Sequence, residues 1–194
     1  MDFQMPVTLK MGDLMSEEEF FQFCQMNDTL EFERDSQGNI ILMSPTGSFT
    51  GGFNSRILIE LGIWNKENQL GQVFDSSTGF TLPNGAVRSP DVSWIRNERW
   101  NSLSKEQQEG FAPVCPDFVI EIRSKSDDPK YLLNKMEEYI TNGTLLGWLI
   151  DRFENKVYIY RPGIDVEVHN SLHTVLSGES ALPEFKLDLA LLIK

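Results

Sequence analysis

Two segments in the middle of the chain set acidic residues into strand-like surroundings: Ser89-Pro90-Asp91-Val92-Ser93-Trp94-Ile95 and Pro116-Asp117-Phe118-Val119-Ile120-Glu121-Ile122-Arg123-Ser124. Side chains alternate across a strand, so Asp117, Val119, Glu121 and Arg123 share one face of the second segment, and Phe118, Ile120 and Ile122 take the other. A carboxylate opposite a wholly apolar face calls for a partner. A hard cation held between Asp91 and Glu121 would be one, with Arg123 beside it to meet a phosphate. Magnesium takes oxygen ligands in octahedral geometry, commonly one or two carboxylates completed by water and substrate phosphate. Asp91, Glu121 and the backbone carbonyl of Ile122 would suffice. Such an ion is a Lewis acid and lowers the pKa of its bound water, which is what phosphodiester hydrolysis requires. Arg123, two residues after the glutamate, lies where a cation could steady the charge developing on phosphorus.

The elements that must position these residues follow from periodicity and punctuation. Residues 16–26 read as a short helix with a Ser16/Glu19 capping box and an apolar face of Phe20, Phe21 and Phe23. Two short strands flank Ser36-Gln37-Gly38 as a hairpin. Residues 44–52, with a proline and three glycines, are expected to form a loop before a helix over 53–68, where Ile57, Leu58, Leu61 and Trp64 recur at helical spacing. Short strands near 73–74, 79–82 and 91–95 are expected to run as a meander, with Pro83-Asn84-Gly85 as the turn between the last two. A polar helix is expected over 100–109. After the Glu121 strand comes a helix with Asp128 as N-cap, Pro129 at its first position and Asn142-Gly143 as its stop. Its stripe is Leu132, Leu133, Met136, Tyr139 and Ile140, with Lys135 on the margin. Strands at 145–150 and 156–160 follow, then a small strand pair and a tail. This order describes an α/β core in which a mixed sheet is covered by helices and the two carboxylate strands are neighbours.

Composition bounds the class. A chain of 194 residues, 40% hydrophobic, can bury one respectable core. Its apolar runs are too short for a membrane span and its start lacks the regions of a signal peptide, so a cytoplasmic protein without membrane contact is expected. Cys24 and Cys115 lack any partner spacing and read as reduced core thiols, not zinc ligands. The net charge of −12 argues against a nucleic-acid partner, although a local basic lip, or a metal bringing its own charge, is compatible with it.

Several runs carry a resemblance: Met43-Ser44-Pro45-Thr46-Gly47, Gly79-Phe80-Thr81-Leu82-Pro83-Asn84-Gly85-Ala86, Arg88-Ser89-Pro90-Asp91, Cys115-Pro116-Asp117-Phe118-Val119-Ile120-Glu121 and Leu146-Gly147-Trp148-Leu149-Ile150-Asp151. The chain resembles the Uma2 family (DUF820), endonucleases frequent in cyanobacteria and part of the PD-(D/E)XK restriction-endonuclease-like superfamily. The resemblance implies a single domain over 1–194 with a nuclease core at about 44–161. Within it, a central mixed β-sheet is flanked by helices, with an N-terminal helix-hairpin and C-terminal strands as appendages. It implies a metal-dependent endonuclease acting on DNA with Mg²⁺ or Mn²⁺, and a homodimer is compatible with it. Asp91 resembles the motif's first aspartate and Glu121 its second acidic residue. The lysine two positions on is replaced by Arg123, which can bind phosphate but cannot deprotonate. Lys135 resembles the lysine that related proteins place on the following helix, and Lys125 stands where the family commonly has proline. The missing lysine and the acidic balance favour a rival: a nuclease-fold binding or regulatory module without turnover.

Plainer readings stand beside these. Asp91 and Glu121 could form surface salt bridges, Asp117 reads as the start of a strand, and Arg123 could pair with Asp117 or Glu121 instead of serving catalysis. Glu60 reads as an exposed helical glutamate, residues 46–52 as a flexible cleft rim, and His169 and His173 as solvated. Trp64, Trp94 and Trp148 read as core. Trp100, in polar company, could stack on a base or fill an interface.

Overall fold

Residues 6–12 and 14–193 are described by a computed structural model of the chain. In order, the first half forms β1 (Val7–Leu9), α1 (Glu17–Met26), β2 (Glu31–Arg34), β3 (Ile40–Met43), α2 (Ser48–Asn68), β4 (Gly71–Asp75), β5 (Phe80–Thr81), β6 (Val87–Arg88) and β7 (Val92–Arg96). Two single-turn helices, α3 (Asn97–Asn101) and α4 (Lys105–Glu109), lead to β8 (Phe118–Ile122) and α5 (Pro129–Thr141). The chain closes with β9 (Leu146–Asp151), β10 (Lys156–Arg161), β11 (Ile164–His169), β12 (Val175–Ser177), β13 (Lys186–Asp188) and α6 (Leu189–Leu192).

The centre is a six-stranded mixed sheet ordered β11-β10-β9-β8-β7-β4. Its one parallel pair, β8 with β9, needs a crossover, and α5 supplies it. The cap and stop read from the sequence are in place: Asp128 accepts a hydrogen bond from the Lys130 amide at 2.9 Å, and Gly143 takes a left-handed φ of +112° just past the end. One sheet face, with Trp94, Phe118, Ile120, Trp148 and Ile150, packs on Phe53, Ile57, Leu61 and Trp64 of α2. The other, with Ile95, Val119 and Leu149, packs on Leu132, Met136 and Tyr139 of α5. The approach is close enough that a Cβ on Gly147 would lie 2.6 Å from Met136 Cε.

Three expectations change. Helix α2 begins at Ser48, inside the stretch expected to be a loop. Thr50 bonds to Arg152 and Phe53 is buried, so tertiary contacts override the low helix propensity of Gly51 and Gly52. The polar helix over 100–109 is two helices, because Ser104 opens α4 with its own capping box to Gln107. The meander is replaced by two sheets. The turn at Gly85 (φ +83°) closes β5 on β6, and that hairpin joins β1, β2 and β3 in a five-stranded sheet, leaving β7 free to pair with both β4 and β8. At the C-terminus β11 extends the central sheet, and Leu176, Phe185, Leu187 and Leu189 pack into the core beneath it. Among the described residues no helix is long and apolar enough to cross a membrane.

Candidate active site

Strands β7 and β8 pair antiparallel with Val92 opposite Ile120 and Ser93 opposite Val119, so one step further sets Asp91 against Glu121. The Ile122 amide donates to Asp91 Oδ2 at 2.7 Å. Glu121 Oε1 accepts from Lys135 Nζ at 2.8 Å and from the Tyr139 hydroxyl at 3.0 Å. Each carboxylate thus keeps one oxygen, Asp91 Oδ1 and Glu121 Oε2, that takes no hydrogen bond from the described residues. Both line a cleft with Ser89, Asn54, Ser124 and Lys135. Helix α5 delivers Lys135 from the margin of its apolar stripe, where the sequence places it, and packing then buries it to 3% exposure.

One participant escapes sequence reasoning. Glu33 of β2, only 1% exposed, accepts from Lys135 Nζ at 2.8 Å, from Arg88 at 3.1 Å and from the Ser89 amide at 2.9 Å. Arg88 is itself shared with Glu138 at 2.6 Å. Glu33 and Glu121 therefore share Lys135 in the interior, and half-buried Asp91 stands across the strand pair from Glu121. Burial pushes Asp91 from its ordinary 3.8 up to about 6, and Glu121 from 4.5 up to about 8, despite the neighbouring lysine. For Glu33 burial acts the same way, but Lys135 and Arg88 outweigh it and hold the carboxyl below its ordinary value. Burial would lower Lys135, yet Glu121 and Glu33 outweigh it and raise the ammonium above its usual range.

Other residues fall elsewhere. Arg123 follows the alternation onto the Glu121 face, but its guanidinium bonds to Asp151 Oδ2 at 2.8 Å and lies 5.5 Å from the Phe153 ring centroid. Arg123 is absent from the residues lining the cleft. The physical reason is the parallel pairing of Ile122 with Ile150, which brings the end of β9 and its carboxylate alongside. Asp117 is structural, as its position before a strand implies. It is buried and accepts from the Arg96 amide at 2.9 Å, Arg96 Nε at 3.0 Å and Arg99 at 3.1 Å. Glu60 and His173 are exposed, and His169 is held by Glu167 and Thr174. Trp100 packs on Phe74, ring centroids 5.0 Å apart.

A family model described as "Putative restriction endonuclease" matches residues 17–190. The chain belongs to the Uma2 family. The crystal structure of a "putative nuclease belonging to DUF820" from Anabaena variabilis ATCC 29413 is similar, with a TM-score of 0.75 and 22% identity, over 92% of this chain and 97% of that one. At that identity the likeness establishes the shared fold. No curated protein matches the chain. In this Uma2 chain, the acids that resemble the family motif, Asp91 and Glu121, are the pair that meets across β7 and β8.

The donor set suits a hard divalent cation better than a soft one. No group of three or more His, Cys, Asp or Glu among the described residues could hold a metal by itself. Two carboxylates with free oxygens are nevertheless the complement that Mg²⁺ commonly takes from a protein. The raised titration of both acids gives the electrostatic reason: their charges lack full compensation, and a cation would supply it.

Proposed function

We propose that the cleft hydrolyses phosphodiester bonds of DNA, with Mg²⁺ or Mn²⁺ held by Asp91, Glu121 and the Ile122 carbonyl. The observation that supports this most is the meeting of Asp91 and Glu121 on neighbouring strands, each with one unbonded oxygen, beside a lysine 2.8 Å from Glu121. A metal there supplies a Lewis acid for the phosphoryl oxygen and a bound water of lowered pKa. The chain's own residues orient and neutralise. The Ile122 amide fixes Asp91, while Lys135 and Tyr139 fix Glu121. Glu121 and Glu33 favour the ammonium form of Lys135, which suits it to position water beside the phosphoryl group. Glu33 and Arg88 set Lys135 in place from the second sheet.

Supercoiled, linear and single-stranded DNA incubated with Mg²⁺ or Mn²⁺ test the reading. Wild type is expected to cut, and Asp91→Asn and Glu121→Gln to lose roughly a hundredfold or more in rate. Equal cutting by all three proteins would contradict it. The diversion of Arg123 to Asp151 favours a second reading, a nuclease-fold binding or regulatory module. DNA binding without metal-dependent cutting would establish that one instead.

A further inference from the structure

Beside the cleft lies a surface of different character. Phe49, in the first turn of α2, and Phe153, in the β9–β10 turn, are each 49% exposed, high for aromatic rings. The Arg152 guanidinium lies between them, its Cζ 4.6 Å from the Phe49 ring centroid and 5.4 Å from that of Phe153. Its one hydrogen bond to the described residues goes to the Thr50 hydroxyl, at 2.6 Å. The neighbouring carboxylate is already committed: Asp151 receives Arg123 and the Phe153 and Glu154 amides. Arg152 therefore forms no ion pair among the described residues, and its Nε is buried without a partner. One turn along α2 from Phe53, Arg56 likewise has a partnerless Nε.

This lip adjoins the carboxylates. Asn54, one helical turn from Thr50, lines the cleft, and its buried Oδ1 has no partner. On the other side Ser124 lines the cleft directly after Arg123, and the exposed Lys125 follows it. In a chain of net charge −12, with Asp28, Glu31 and Asp127 on the cleft wall, Arg152 and Arg56 stand out as arginines without an ion pair among the described residues and mark where a polyanion's phosphates can approach. The exposed rings specify more. A duplex keeps its base faces covered by neighbouring bases, whereas an unpaired base offers its face to an aromatic side chain, with arginine adding cation–π attraction.

We propose that Phe49, Arg152 and Phe153 form a docking lip for single-stranded nucleic acid, the two rings stacking on unpaired bases and Arg152 and Arg56 meeting the backbone phosphates. The proposal rests on the nuclease reading of the adjacent cleft and deepens it by naming the strand state of the substrate. It places an unpaired segment beside the cleft that Asn54 and Ser124 line together with Asp91 and Glu121.

Binding is measured by fluorescence anisotropy with a labelled oligothymidylate and a labelled hairpin duplex of equal length, in excess chelator so that no cutting occurs. Wild type is expected to hold the single strand more tightly than the duplex. Phe49→Leu and Phe153→Leu should each weaken single-strand binding by about 5- to 100-fold and leave duplex binding nearly unchanged. Phe49→Tyr and Phe153→Tyr should restore it, which separates stacking from folding. Circular dichroism and thermal melting confirm that each variant is folded. Equal affinity of wild type and the leucine variants for the single strand overturns the lip, as does no preference over the duplex. Light scattering on the same samples adds a further contradiction: leucine variants that change self-association and not nucleic-acid affinity would make the patch a contact between copies. The two readings fail separately. Ring-dependent binding with no metal-dependent cutting removes the nuclease and keeps the lip, while cutting that ignores the rings does the reverse.

Discussion

Lys135 is shared by two buried acids, Glu33 and Glu121, at 2.8 Å from each, so deleting its charge leaves Glu121 with no cation and Glu33 with Arg88 alone. Lys135→Met is expected to cost about 3–5 kcal/mol in urea unfolding at alkaline pH. The cost should shrink in mild acid, where Glu121, titrating at about 8, already carries its proton. Arg123→Gln should behave differently. It loses a charged hydrogen bond to Asp151, costing about 1–3 kcal/mol of stability, while cutting falls far less than in Asp91→Asn. These residues also show what a sequence discloses. Asp91 and Glu121 were legible because strand alternation is local and the surrounding runs resemble a family. Glu33 was not, because its meaning lies in Arg88, 55 residues away, and in Lys135, further still. For Arg123 alternation gave the correct face, but the partner on that face comes from β9, whose adjacency only the fold decides.

At the scale of elements, α5 was read almost completely, since caps and apolar stripe are written within the helix itself. Asp128→Ala should therefore cost about 1 kcal/mol, seen as a lower Tm, and loosen the helix that carries Lys135 and Tyr139. Strand β4 tests the sheet edge. A Cβ on Gly71 would collide with the Ile95 carbonyl and the Trp94 ring, the carbonyl being backbone that cannot step aside. Gly71→Ala is expected to destabilise by about 1–3 kcal/mol, measurable by the same melts. Two-residue strands such as β5 and β6 carried too little pattern to reveal which sheet they join. The start of α2 was hidden for a related reason: Gly51 and Gly52 argue locally for a loop, while the contacts of Thr50 and Phe53 come from elsewhere in the chain.

For the whole molecule, the acid cluster makes stability depend on pH and metal together. The native state binds protons at Asp91 up to about pH 6 and at Glu121 up to about pH 8, whereas the unfolded chain releases them near 3.8 and 4.5. Stability from these groups is thus fully present below about 3.8 for Asp91 and 4.5 for Glu121, and is lost as pH rises to about 6 and about 8. Glu33 has the opposite sign: its depressed pKa contributes stability above about 4.5, lost only in stronger acid. The metal-free protein should melt higher at about pH 5 than at about pH 8, and saturating Mg²⁺ should raise Tm at the higher pH far more than at the lower. A Mg²⁺ effect equal at both would contradict the linkage. Net charge, legible from composition alone, said little about approach to the cleft, because it sums over the whole surface and does not show where Arg56 and Arg152 stand without an ion pair among the described residues.

The most direct test of the central claim is anomalous scattering from crystals soaked in Mn²⁺ near pH 8. The account predicts one strong peak bridging Asp91 and Glu121, within about 2.0–2.6 Å of an oxygen from each, and its disappearance in Asp91→Asn crystals. Wild-type crystals with no peak between these carboxylates, or with Mn²⁺ bound only elsewhere, would contradict it.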